Sequence, residues 1–176
     1  MSDFIHLLRN RRSIRLFSDH SIPSEQIALL EEALLRAPTS RGRNPWQFIK
    51  VSDKDLLQKL AQAKMKGSGF LAGAALAYAI CADETVSDVW IEDCSIAAIT
   101  LQYSAHSLGL GSCWAQIRLR EHKENESAET FVRNLLGIPE QVRVASIIGL
   151  GYPNEKKDGH PAESLPSGKI HQNRFS

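Results

Sequence analysis

Ala37-Pro38-Thr39-Ser40-Arg41-Gly42-Arg43-Asn44-Pro45-Trp46-Gln47-Phe48 is the stretch on which the fold turns. Pro38 disfavours helical backbone in the residue before it, so the periodic segment ahead must stop there. That segment reads as a helix over Ser24–Arg36, with Ser24 as its cap, Glu25 in the positive first turn and Ile27, Leu30 and Leu34 as its apolar stripe. Beyond the loop, Trp46-Gln-Phe-Ile-Lys-Val51 alternates and is rich in aromatic and β-branched side chains, which predicts a strand. The stretch is therefore a helix-to-strand junction whose loop carries hydroxyls, a glycine and two arginines.

Toward the C-terminus the same alternation continues. Asp53 is placed to cap a helix through Leu56, Leu57 and Leu60, and a second strand is predicted over Leu76–Ala82. The longest helix is predicted over Ser87–Leu108. Asp93, Ile96, Ala97, Thr100, Leu101, Ser104, Ala105 and Leu108 form its inward stripe, Ile99 and Tyr103 give a second apolar surface, and Gly109 stops it. A helix apolar on two sides suits a core or dimer position. Ser112–Ile117 reads as a strand, Ser127–Leu136 as a helix closed by Gly137 and Pro139, and Val142–Leu150 as the most hydrophobic strand. With a short N-terminal helix this makes four strands and about five helices, an α/β or α+β layer architecture in one domain.

Toward the N-terminus stands Arg11-Arg12-Ser13-Ile14-Arg15. Charge runs are usually solvated turns, but guanidinium forks match phosphate oxygens and a hydroxyl adds a further bond. The cluster is local, because the 176 residues carry 21 Lys plus Arg against 20 Asp plus Glu. Nucleic acid is thereby an unexpected partner. The start lacks the order of a signal peptide, and the longest apolar stretch, Phe70–Ala82, is too short to span a bilayer, so a cytoplasmic protein without membrane contact is expected. Cys81, Cys94 and Cys113 are widely spaced and suggest buried packing, and the six histidines show no metal-ligand spacing. Gly109-Leu-Gly111 follows a helix rather than a strand, the reverse of a dinucleotide fingerprint, and Gly67-Ser-Gly69 lacks a P-loop ending.

Taken together, the Arg11–Arg15 cluster and the Ala37–Phe48 junction resemble the nitroreductase family of FMN oxidoreductases. Further matches are Gly109-Leu-Gly-Ser-Cys-Trp114, Leu136-Gly-Ile-Pro-Glu140 and Ile148-Gly-Leu-Gly-Tyr-Pro153, which keep the family's order over nearly the whole chain. The resemblance implies an α+β nitroreductase-like fold, a central mostly antiparallel sheet flanked by helices in an interwoven homodimer. Residues 1–152 would form the FMN-binding body. Residues 153–176, poor in apolar side chains until Ile170 and Phe175, would form an arm of the same domain docking on the partner subunit.

By the same resemblance, Arg11, Arg12 and Ser13 hold the FMN phosphate and Arg15 lies at the N1 and C2-carbonyl edge of the ring. A fixed cation there stabilises the charge that reduction places on the ring. Thr39, Ser40, Gly42 and Asn44 line the pyrimidine edge, with Arg41 or Arg43 as substitutes where Gly42 and Asn44 depart from the family's Asn and Gln. The amide of Gln116 or Ile117 faces flavin N5, and Arg174 reaches the phosphate, with Lys169 and His171 as weaker candidates. The implied activity is ping-pong transfer from NADH or NADPH, through flavin N5, to a nitroaromatic, quinone or similar small-molecule electron acceptor. Two alternatives are a non-catalytic FMN-binding or redox-sensing protein and a flavin-fragmenting or dehalogenating branch of the same fold.

Overall fold

The computed structural model describes residues 3–175. Helix α1 (Asp3–Asn10) is followed by α2 (Ser24–Leu35), β1 (Trp46–Val51), α3 (Lys54–Leu60) and β2 (Leu76–Asp83). Then come α4 (Trp90–Ser107), β3 (Gly111–Gln116), a small hairpin of β4 (Glu121–Lys123) and β5 (Glu126–Ser127), α5 (Ala128–Leu136) and β6 (Val142–Gly151). The main sheet runs β1-β2-β6-β3, and every pairing in it is antiparallel. This is the expected α+β architecture.

Alternation along the central strand β2 divides the core in two. Leu76, Tyr78 and Ile80 point to the layer of α2 and α4, where they meet Leu30, Leu34, Ala97 and Leu101. Ala77, Ala79 and Cys81 point to the other layer, against Leu57 and Leu60 of α3 and Val132 of α5. Truncating a fully buried Leu30 or Leu34 to Ala would cost about 2–5 kcal/mol through lost burial and the cavity left behind. Cys81, Cys94 and Cys113 are all buried and unpaired. Burial is the first cause that pushes the Cys81 and Cys94 thiols up to about 12.

Local signals decide most element ends. Asp53 accepts from the Leu56 amide at 2.8 Å, Ser127 accepts from the Thr130 amide at 3.0 Å, and Gly137 closes α5 in the left-handed conformation. Ser24 does not cap: Pro23 occupies that position without a side-chain bond, because its fixed φ already suits a helix entrance. The long helix begins at Trp90 rather than Ser87, whose hydroxyl donates instead to Asp93 at 3.2 Å. Its buried stripe also includes Cys94, Ala98 and Gln102, while Ile96 is exposed, since α4 is clasped between α2 and the sheet. The hairpin of β4 and β5 is an addition to the expected strands.

The tail is divided. Residues 152–158 dock on their own chain, with Ser18 N–H donating to the Tyr152 carbonyl and Asn154 N–H to the Leu16 carbonyl, both at 2.9 Å. A Cβ on Gly159 would stand only 2.0 Å from the Arg9 carbonyl, so glycine is what lets the segment lie down there. Beyond it, Leu165, Ile170 and Phe175 are 57%, 85% and 91% exposed. No described helix is long and apolar enough to cross a membrane.

Candidate functional site

The site grows from the open edge of β3. Ile14 N–H donates to the Ser112 carbonyl at 2.9 Å, forming a bridge that lays residues 13–14 along that edge. Gly111 makes the approach possible, since a Cβ there would stand 2.8 Å from the Ile14 side chain. Glu155 holds the next step by accepting from the amides of Arg15 and Leu16. Those amide bonds, the Arg15 one first, and the Lys157 ammonium hold the Glu155 carboxyl down at about 2. Lys157 pairs with Glu155 at 3.0 Å and donates to the Ser13 carbonyl at 3.0 Å, and Arg12 donates to the Asp158 carbonyl.

The result is a cavity of about 400 Å³ lined by Arg11, Arg12, Ser13, Arg15, Lys157 and His160. Four permanent cations and a hydroxyl face one space, a donor set that fits a phosphate. Lys157 and His160 escaped sequence reasoning, because nothing local to Lys156-Lys157-Asp158 distinguishes it from a solvated polar segment. Arg174 and Lys169 are not among the residues lining this space, and neither is His171.

Arg15 also lines a second cavity of about 440 Å³, with Leu16, Phe17, Gly67, Gly69, Phe70 and Gly73. The aromatic rings lie against the sheet because two strand glycines have no side chain. A Cβ on Gly149 would stand 2.8 Å from Phe70, and one on Gly151 3.0 Å from Phe17. The slot beside them is glycine-walled, with a guanidinium at its border, and suits a flat ring. The Arg11–Ser13 cavity and this slot together fit FMN: anion at one end, ring at the other.

Of the two amides expected to face the ring, that of Ile117 donates to the Ala145 carbonyl at 3.2 Å and is committed to β6. Donors alternate along an antiparallel strand, so the neighbouring Gln116 N–H turns to the outer edge, the same edge on which Ser112 receives Ile14. The Gln116 side chain accepts from Trp114 Nε1 at 3.0 Å and donates to the Arg118 carbonyl at 3.0 Å.

The Thr39–Asn44 loop lies elsewhere. It leads into Trp46 at the start of β1, on the opposite edge of the sheet from β3. Three strand spacings alone separate the two edges by about 15 Å. Within the loop the Thr39 hydroxyl donates to Asn44 Oδ1 at 2.9 Å and receives the Asn44 amide at 3.1 Å. Arg41, Gly42 and Asn44 adopt left-handed backbone, with φ of 56°, 65° and 49°. The buried Asp93 on α4, 2% exposed, secures this turn by accepting from the Ser40 amide at 2.8 Å. Arg43 pairs with Asp88 at 3.3 Å, whereas Arg41 has no ion pair among the described residues.

Fold and site define an α+β protein that offers a cationic pocket and an adjoining flat slot at one edge of an antiparallel sheet. The family model for nitroreductases matches residues 8–75 and 66–152, and the chain belongs to the nitroreductase family. It is 35% identical over 180 residues to a protein of Archaeoglobus fulgidus provisionally named NADH dehydrogenase/NAD(P)H nitroreductase, covering 99% of this chain and all of that one (100%). Among solved structures it resembles an FMN-dependent nitroreductase of Clostridium difficile, with a TM-score of 0.95 and 43% identity over 97% of this chain and 99% of that one. A Parabacteroides distasonis protein, provisionally named as the Archaeoglobus one is, aligns with a TM-score of 0.90 and 29% identity over 99% of this chain and 100% of its own.

Proposed function

We infer that this protein is an FMN-dependent oxidoreductase that takes reducing equivalents from NADH or NADPH and passes them to a nitroaromatic, quinone or similar small acceptor. The observation that carries the reading is the pair of cavities that share Arg15 in their walls, one cationic around Arg11, Arg12, Ser13 and Lys157 and the other glycine-walled. When bound, FMN supplies two-electron transfer between nicotinamide and acceptor. The chain supplies position and charge. Arg11, Arg12 and Ser13, joined by Lys157 and His160, hold the phosphate. Arg15, fixed through its own amide by Glu155, sets a guanidinium at the ring's N1 and C2-carbonyl edge. The outward Gln116 amide is the donor directed at N5.

The working unit in this reading is a homodimer. Thr39, Ser40, Gly42 and Asn44 belong to the opposite sheet edge of their own chain, so a second copy must bring them to the ring. Two surface features support it. Phe4, Ile5 and Leu8 of α1 and Ile96 of α4 are exposed apolar side chains, and the arm beyond residue 161 presents Leu165, Ile170 and Phe175 largely to solvent. In the dimer the arm docks on the partner and carries Arg174 toward a phosphate.

A visible spectrum of the purified protein tests the reading. Flavin absorbance that bleaches on adding NADH or NADPH anaerobically is expected, and a protein that stays colourless after excess FMN overturns it. Sedimentation velocity should give a dimer, and a monomer that still turns over would remove the shared-site argument.

A further inference from the structure

Three cations gather beyond the slot, outside the groups assigned to FMN. Lys64 and Lys66 come from the loop after α3 and Arg120 from the turn after β3, and with Met65, Leu119 and Glu121 they line a cavity of about 400 Å³. The two segments are tied together, Met65 N–H donating to the Glu121 carbonyl at 3.1 Å and His122 Nδ1 lying 2.8 Å from the Gln62 carbonyl. Leu119 sits in left-handed backbone at φ 58°, a conformation unfavourable for leucine, and is 76% exposed. That reversal puts Arg118 over the Trp90 ring, 5.8 Å from its centroid, while its neighbour Arg120 lines the cavity.

None of the three cations makes an ion pair with a carboxylate among the described residues. Glu121 is the one acid among the lining residues, so the pocket keeps an excess of positive charge. Burial first, and then the nearby Arg120, make the Lys64 ammonium easier to deprotonate than usual, as expected for a cation lacking its counterion. The pocket adjoins the slot: Lys66 precedes Gly67, which lines the slot with Arg15. Both Lys64 and Arg15 bear electrostatically on the Cys113 thiol.

We propose that Lys64, Lys66 and Arg120 form a phosphomonoester subsite that takes the 2′-phosphate of NADPH and so makes the protein prefer NADPH to NADH. The inference rests on the flavin reading for its biological use. The two reductants differ by that one dianionic group. Two lysines supply point charges and Arg120 a fork, while Met65 and Leu119 offer apolar surface to the adenosine.

Calorimetric titration with adenosine 2′,5′-bisphosphate and with adenosine 5′-monophosphate tests it without needing bound flavin. The wild type should bind the bisphosphate at least tenfold more tightly, and Lys66→Ala/Arg120→Ala should bring the two within twofold. In turnover the double variant should lose at least tenfold in kcat/KM for NADPH and stay within twofold for NADH. Equal affinities in the wild type, or an unchanged ratio in the double variant, overturn the subsite. Arg120→Ala alone changes only an exposed side chain and guards against a folding defect. It should narrow the ratio at least threefold, and an unchanged ratio there overturns the subsite as well. A colourless protein overturns the flavin reading, while the nucleotide titration still decides the subsite.

Discussion

The two edges of the sheet are finished in different ways. At β3 the chain closes its own edge, drawing Ser13–Ile14 onto Ser112 and fastening the strap with Glu155 and Lys157 from about 140 residues away. At β1 no strand of the described chain pairs outward, and the loop that enters it is held from behind by the buried Asp93. The cationic pocket is thus lined from within one protomer, whereas the Thr39–Asn44 loop is braced at the opposite edge of the sheet. An uncovered strand edge invites another chain, and here that edge is entered from the Thr39–Asn44 loop.

The comparison can be broken most decisively at the closed edge. Arg12→Ala combined with Ser13→Ala should weaken FMN retention on the order of 100-fold, since each charge-assisted bond contributes about 1.5–3 kcal/mol. Fluorescence titration of the apoprotein measures this, and retention within threefold of wild type would show that the closed edge does not hold the phosphate. At the other corner, Asp93→Ala leaves the Ser40 amide and Ser87 hydroxyl without their acceptor and should cost about 2–3 kcal/mol in urea unfolding. If the loop belongs to a shared site, the same variant should also loosen FMN, whereas stability loss with unchanged retention would confine Asp93 to folding. Gly111→Ala sharpens the contrast by wedging Ile14 off β3, at about 1–3 kcal/mol of overpacking, with β1 left untouched. Hydrogen exchange should quicken at Ile14 and stay constant in β1.

The smallest effect concerns pH. Glu155 has a folded value depressed from the ordinary 4.5 to about 2, so its contribution to the strap is present above pH 4.5 and is lost as pH falls toward 2. Glu155→Gln should remove that component of the acid dependence between those limits. A variant whose acid unfolding curve overlays the wild type's would show that other carboxylates govern it.

Much of this was legible from residue patterns. The four long strands follow from alternation and β-branched content, and Asp53, Ser127 and Gly137 mark helix ends by local chemistry that no tertiary contact alters. The small hairpin was not, because Glu121-His-Lys-Glu-Asn-Glu-Ser127 has no apolar alternation and is shaped instead by Asn125 in left-handed backbone. The helix α4 starts at Trp90, later than the expected Ser87, whose hydroxyl is drawn to Asp93 inside the fold. Binding motifs near the N-terminus were recognisable as residue types, yet their separation onto opposite edges is a property of strand order, which motif spacing does not encode. Lys157 and Glu155 join the site through contacts some 140 residues distant in sequence, beyond the reach of local pattern.

The burial of the cysteines has a chemical outcome for a protein of this kind. With Cys81 and Cys94 deep in the two helix layers and their thiols held near 12, neither is a thiolate at neutral pH. Burial raises the Cys113 thiol as well, despite Arg15, Lys157 and Lys64 nearby. The three cysteines therefore offer oxidants and electrophiles no exposed thiolate, and among the described residues the sulfur that stands open at the surface is the thioether of Met65 instead.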